Sequence, residues 1–105
     1  MSTSKEYLAF VLEQLADLEG IRHRAMMGEY VIYYRDKVVG GIYDDRFLIK
    51  ATKSVRSLMP EGPYEIPYQG AKEMLLVDLE DRAVTERLLT VVYEDLLVST
   101  SGRKR

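Results

Sequence analysis

Apolar residues recur at Leu8, Val11, Leu12, Leu15 and Leu18, the i, i+3, i+4, i+7 spacing that lines one face of an α-helix, while Lys5, Glu13 and Asp17 fall largely on other faces. The spacing predicts a helix over residues 4–19. Thr3 and Glu6 stand at capping-box separation, a side-chain oxygen for an orphan amide and a carboxylate reaching back. Gly20 follows the last periodic position, where a left-handed residue can end a helix.

From residue 21 to 51 the period shortens. Ile21, His23 and Ala25 alternate with Arg22 and Arg24, which predicts a short half-buried strand. Three β-branched and aromatic runs follow, "EYVIYYR", "VVGGIY" and "RFLIKA", separated by the polar pairs Asp36-Lys37 and Asp44-Asp45. Such short polar breaks predict hairpins and an antiparallel meander, although neither pair has the Asn-Gly chemistry that fixes register. Gly40-Gly41 inside a strand points to a bulge, a close-packed helix or a close partner. Thr52 is placed to cap a short helix ending near Met59, and Pro60, Gly62, Pro63 and Pro67 punctuate a loop over 60–70 with an extended piece at 64–68. "KEMLLVDL" reads as a strand, apolar on both parities and so interior to the sheet. Val84, Leu88, Val91, Val92 and Leu96 then predict a terminal helix, capped by Asp81 or alternatively by Asp78.

The expected fold is α+β and two-layered: an antiparallel, mostly meander sheet of about five strands with N- and C-terminal helices packed on it. A single domain is expected over 1–98, with a disordered basic tail, "SGRKR" at its end, over 99–105.

Composition narrows the chemistry. The chain has 105 residues, 47% of them hydrophobic and 30% charged, enough for one cored domain. It has no cysteine, which removes disulfides, thiolate metal sites and cysteine nucleophiles together. Without a signal-peptide core or a long apolar run, the expectation is a cytoplasmic protein with no membrane span. A net charge of −2 weakens non-specific nucleic-acid binding, which draws on clustered positive charge. His23 is the single histidine, so no histidine triad forms elsewhere; a buried or edge position with one hydrogen bond is expected for it. Neither phosphate-loop nor dinucleotide glycine spacing occurs. Asp44-Asp45 is a paired acid but sits where turn formers belong, and Glu80-Asp81 suits a helix start. No catalytic residue, metal or cofactor is assigned.

Among eight tyrosines, Tyr30, Tyr33, Tyr34 and Tyr43 fall on neighbouring predicted strands. If Tyr30 and Tyr34 share a face, Tyr33 takes the other. Arg22, Arg24, Lys50, Lys53 and Arg56 would form one basic cluster if the first and fourth strands lay close. Met26-Met27 suits either core packing or an adaptable contact surface.

The stretch "HRAMMGEYVIYYRDKVVGGIYDDRFLIK" resembles the opening of the TfoX N-terminal domain family. Its members carry an arginine shortly before Met-Phe-Gly, a tyrosine-containing strand, two hairpin strands and a Leu-x-Lys ending. Here those positions are Arg24, Met26, Met27, Gly28, Tyr30, Tyr33, Leu48 and Lys50. "PYEIPYQGAKEMLLVDLED" and the helix after it resemble the later half of such domains, so the likeness runs over residues 5–97. It implies a secretion-chaperone-like two-layer fold. It also implies a link to TfoX/Sxy regulators of natural competence, which act with a cyclic-AMP receptor protein at promoters and have a second, C-terminal domain beyond the one matched here. Met27 stands where phenylalanine is usual; methionine keeps the volume and loses the ring, so packing is the role expected there.

No catalytic residues come with the family. The expected function is therefore a non-enzymatic regulatory or adaptor domain that works through contacts with a protein partner, a homodimer being one such form. The candidate contact residues are Arg22, Arg24, Met27, Tyr30, Tyr33 and Lys50, with Gly28 structural. The alternatives are nucleic-acid binding through Arg22, Arg24, Lys53, Arg56 and the tail, and a small-molecule pocket lined by tyrosines.

Overall fold

A computed structural model describes residues 3–102. Among them the chain runs α1 (Lys5–Gln14), β1 (Ile21–Met26), β2 (Glu29–Tyr34), β3 (Lys37–Ile42), β4 (Phe47–Lys50), α2 (Lys53–Leu58), β5 (Tyr64–Glu65), β6 (Met74–Leu76) and α3 (Arg82–Gly102). The strands form one antiparallel sheet in the order β1-β2-β3-β4-β6-β5. The first four make the expected meander. The predicted "KEMLLVDL" strand is interior, between β4 and the short edge strand β5, which lies within the loop expected over 60–70 and brings the strands to six rather than about five.

Each hairpin of the meander closes on two residues. Met26 faces Glu29 across the loop Met27-Gly28, with φ of 51° and 86°. Tyr34 faces Lys37 across Arg35-Asp36, at 52° and 71°, one position earlier than the polar pair suggested. Tyr43 and Arg46 exchange backbone hydrogen bonds of 2.8 and 3.0 Å across Asp44-Asp45, at 53° and 57°. Positive φ at both central residues is the type I′ signature, whose twist matches the strands it joins. Gly28 adopts it without steric cost and aspartate tolerates it, whereas Met27 and Arg35 each hold it at a cost of about 1–2 kcal/mol.

These turns decide which side chains face inward. Ile32 and Tyr34 of β2, Val39 and Ile42 of β3, Phe47 and Ile49 of β4 and Leu75 of β6 pack in one cluster with Val11 of α1, Leu15 just after it, and Leu88, Leu89 and Val92 of α3. The result is a two-layer α+β fold. The β2–β3 register shifts between Ile32 and Tyr33. Beside that bulge, a Cβ on Gly40 would lie 2.3 Å from the Leu48 carbonyl oxygen. The first glycine of the doublet thus serves a bulge and the close approach of β4.

Several local expectations are corrected. The cap of α1 is Ser4, whose hydroxyl accepts from the Tyr7 amide at 3.1 Å. Thr3 is buried instead, and its hydroxyl donates to Glu29 Oε1 at 2.7 Å and accepts from the Asp45 amide at 3.2 Å. The helix stops at Gln14 rather than residue 19; beyond it Leu15 still enters the core, and Arg82 donates to the Glu13 carbonyl at 2.9 Å. Strand β1 is exposed along 22–26, an edge rather than a half-buried strand. Of the predicted α3 face, Leu88 and Val92 are buried and Val91 and Leu96 pack against the core, but Val84 is 40% exposed, and Thr85 and Leu89 are buried beside them. Asp81 does cap α3, accepting from the Val84 amide at 3.2 Å. That helix runs on to Gly102, and residues 103–105 of the expected tail lie outside the described ones.

Thr52 precedes α2 without donating or accepting a side-chain cap bond. The cap comes from α3: Asp95 accepts from the Ser54 amide at 2.8 Å and the Ser54 hydroxyl at 2.7 Å. Partial burial pushes the Asp95 carboxyl up, but the Thr52 and Ser54 hydroxyls, the Ser54 amide and the Lys53 charge outweigh that and hold it below the usual 3.8. A depressed carboxyl stabilises the fold above its unfolded pKa and loses that contribution as pH falls through the folded value. Asp95→Ala should therefore cost about 1 kcal/mol at neutral pH, with the gap to the parent narrowing below about pH 4, read by urea denaturation across pH. Gly40→Ala should cost about 1–3 kcal/mol in the same measurement, because the obstacle is backbone.

Candidate functional site

With one sheet face spent on the core, chemistry is left to the other. The register places Arg22 and Arg24 of β1, Val31 and Tyr33 of β2, and Lys50 of β4 on this outer face. The 66–73 segment folds across its β4 half, so the face divides into an open hairpin and a cleft.

The hairpin half carries most of the residues singled out from sequence. Arg22 Nη2 lies 3.2 Å from Asp36 Oδ1 in an exposed ion pair, and its guanidinium is 5.9 Å from the Tyr33 ring centre. Arg24 is exposed and, among the described residues, has no ion pair. Met27, expected to pack, is 97% exposed at the tip of the turn, with Met26 at 43% behind it. It packs nowhere because a two-residue type I′ loop projects its side chain beyond both strands. Gly28 supplies the turn geometry, and its carbonyl accepts from the Thr3 amide at 3.0 Å. Tyr30 faces inward and packs against the core, which separates it from Tyr33 as the strand period requires. His23 sits on the exposed edge with its ring 5.9 Å from Tyr30, edge-on, and without a side-chain hydrogen bond among the described residues.

Lys50 does not join that group. Strands β1 and β4 are three spacings apart in the sheet, roughly 14 Å, so the single basic cluster expected from sequence is two separate groups. Lys53 begins α2, away from both.

Lys50 belongs to the cleft, a cavity of about 500 Å³ on the β3–β4 side. Tyr43 and Tyr68 form one wall, their ring centres 6.0 Å apart. Tyr43 lies over Gly41, where a Cβ would come within 2.7 Å of the phenol oxygen, so the second glycine of the doublet makes room for a ring. Burial pushes the Tyr43 phenol above its ordinary 10.0, and Tyr68 and Glu29 add to the rise. Arg56 and Lys72 contribute positive charge and Glu73 negative. Arg56 is already engaged, 3.2 Å from Glu73 Oε1 and 4.9 Å over the Tyr64 ring. Lys50 is half-buried, and burial lowers its pKa from the usual 10.5. Sequence reasoning missed Tyr68 and Lys72, which reach the site from a distant loop. Gly41 was the signal that a side chain lies flat over this part of the sheet.

Comparison with known proteins now adds kinship. The TfoX N-terminal domain family matches residues 13–89, which span all six strands. The chain is similar to the uncharacterized 12.7 kDa protein in the trpE 5′ region of Spirochaeta aurantia, with 37% identity over 78 residues, 74% of this chain and 68% of that protein. No solved structure matches it. Among the described residues no helix is long and apolar enough to cross a membrane.

The Lys50 shift has a testable sign. A lowered lysine pKa means the fold disfavours the ammonium, a cost fully present below the folded pKa and gone above the unfolded value of 10.5. Lys50→Met should accordingly raise the unfolding free energy at neutral pH by on the order of 0.5 kcal/mol once solvent screening is allowed for, read as a higher urea midpoint, with the gain fading in alkali.

Proposed function

Because the chain belongs to the TfoX N-terminal domain family, we propose that it is a non-enzymatic adaptor in competence-type transcriptional regulation, meeting a protein partner through the β1–β2 hairpin. The observation that carries this reading is Met27. A large apolar side chain is 97% exposed on a backbone with φ of 51°, so it contributes no burial and adds local strain. A residue that breaks two local rules without benefit to the fold is best accounted for by a contact outside it.

Its neighbours support the same reading. Methionine, arginine and tyrosine are the types enriched where proteins meet, and Arg24 and Tyr33 stand on the face behind the tip. The free edge of β1 adds a row of unpaired backbone groups to which an extended segment can attach. The non-enzymatic reading follows the family, from which no catalytic residues carry over.

A photo-crosslinking amino acid placed at Met27, compared with one at Glu94 on the opposite layer, tests the contact in the living source cell. A discrete protein adduct from position 27 alone is expected, and its mass separates a second copy of the chain from another protein. Equal labelling from both positions, or none from 27, would refute the reading. Met27→Asn provides a second check, because Asn-Gly is the favoured type I′ pair. The variant should gain about 1 kcal/mol in stability by denaturation while binding the captured partner roughly tenfold more weakly. Retained binding would remove Met27 from the interface.

A further inference from the structure

The cleft has charge and shape that the adaptor role leaves unused. The whole chain carries −2, yet three of the four charged residues around this cavity are cations: Lys50, Arg56 and Lys72 against Glu73. Glu73 is occupied by Arg56. Lys50 has no hydrogen bond or ion pair from its side chain among the described residues, although it is half-buried. An ammonium withdrawn from water without a counter-ion is a standing cost, which an anion brought by a ligand would offset.

The opposite wall is of a different kind. Tyr43 and Tyr68 present tilted rings with centres 6.0 Å apart, and the bare backbone at Gly41 lets the Tyr43 ring lie against the sheet. Aromatic walls take flat apolar bodies by offset or edge contacts. The volume, about 500 Å³, is that of a small-molecule site.

We propose that this cleft binds a small planar organic anion, its ring against Tyr43 and Tyr68 and its carboxylate or phosphate on Lys50, with Lys72 beside it. Inorganic phosphate alone would leave the aromatic wall unused. A neutral aromatic would leave the Lys50 charge unanswered.

The test is titration of the ¹⁵N-labelled chain, followed by amide NMR, with inorganic phosphate and with two anions and their neutral counterparts: indole-3-carboxylate against indole-3-carboxamide, and guanosine 5′-monophosphate against guanosine. At ordinary ligand efficiency the roughly dozen heavy atoms of indole-3-carboxylate give a Kd on the order of 1 mM, and the nucleotide, about twice that size, binds more tightly, so ligand is carried to about 10 mM. At least one anion should shift the Gly41, Tyr43 and Lys72 amides, and its neutral counterpart should bind roughly tenfold more weakly. The anion that binds identifies carboxylate or phosphate as the preferred head group. Lys50→Met, expected to be at least as stable as the parent, should lose roughly tenfold in affinity for that anion, and Tyr43→Leu should weaken both members of its pair.

No shift with either anion, equal binding of the neutral compounds, or the same shifts from inorganic phosphate would each overturn the proposal. So would unchanged affinity in Lys50→Met.

Discussion

Every surface of this domain depends on a backbone constraint: each hairpin of the meander must close on two residues, both with positive φ. A two-residue loop leaves no slack, so strand direction, pairing and side-chain parity are settled together. A slip by one position would carry Ile32 and Phe47 to the outer face and Tyr33 and Lys50 into the core. The turn sequences, Met-Gly, Arg-Asp and Asp-Asp, are poor by local preference, with a single glycine among six positions. Burial of the inner face, rather than the local preference of these residues, therefore holds the turns in the conformation that sets the register.

Side-chain hydrogen bonds then tie the turns to the helices. Glu29 accepts from Thr3 and from the Asp44 amide at 3.0 Å, while Asp45 accepts from the Ser4 amide at 2.9 Å. Glu29 and Asp45 thus hold the start of α1 against two hairpins. Asp95 does the same at the other end of the molecule, where α3 caps α2. Polar residues whose spacing suggested chemistry are mostly joints between elements.

Much of the architecture was legible in the sequence because it rests on periodicity. The helices, the meander, the interior "LLV" strand and the separation of Tyr33 from Tyr34 follow from spacing alone. What escaped depends on contacts between distant segments. Ser4 displaced Thr3 as the cap because Glu29, 26 positions away, takes the Thr3 hydroxyl. The basic cluster divided because sheet order, which periodicity does not contain, puts two strands between Arg24 and Lys50. The cleft was hidden for the same reason: Tyr43 and Tyr68 meet only after the chain has passed through β4, α2 and β5 and the connection to β6 has folded back across the sheet. For Met27 packing and surface contact stood side by side, because apolarity at a turn says nothing of direction; its family position was legible, its exposure was not.

The bond from the Thr3 amide to the Gly28 carbonyl has a consequence for association. It pins the methionine-bearing knuckle to the first residues of the folded chain and removes the swinging freedom that an isolated hairpin tip would have. A partner docking there would meet a preformed shape, and little backbone entropy would remain to be lost on contact. Affinity at such a knuckle would then respond to the order of the N-terminus as much as to the side chains that touch.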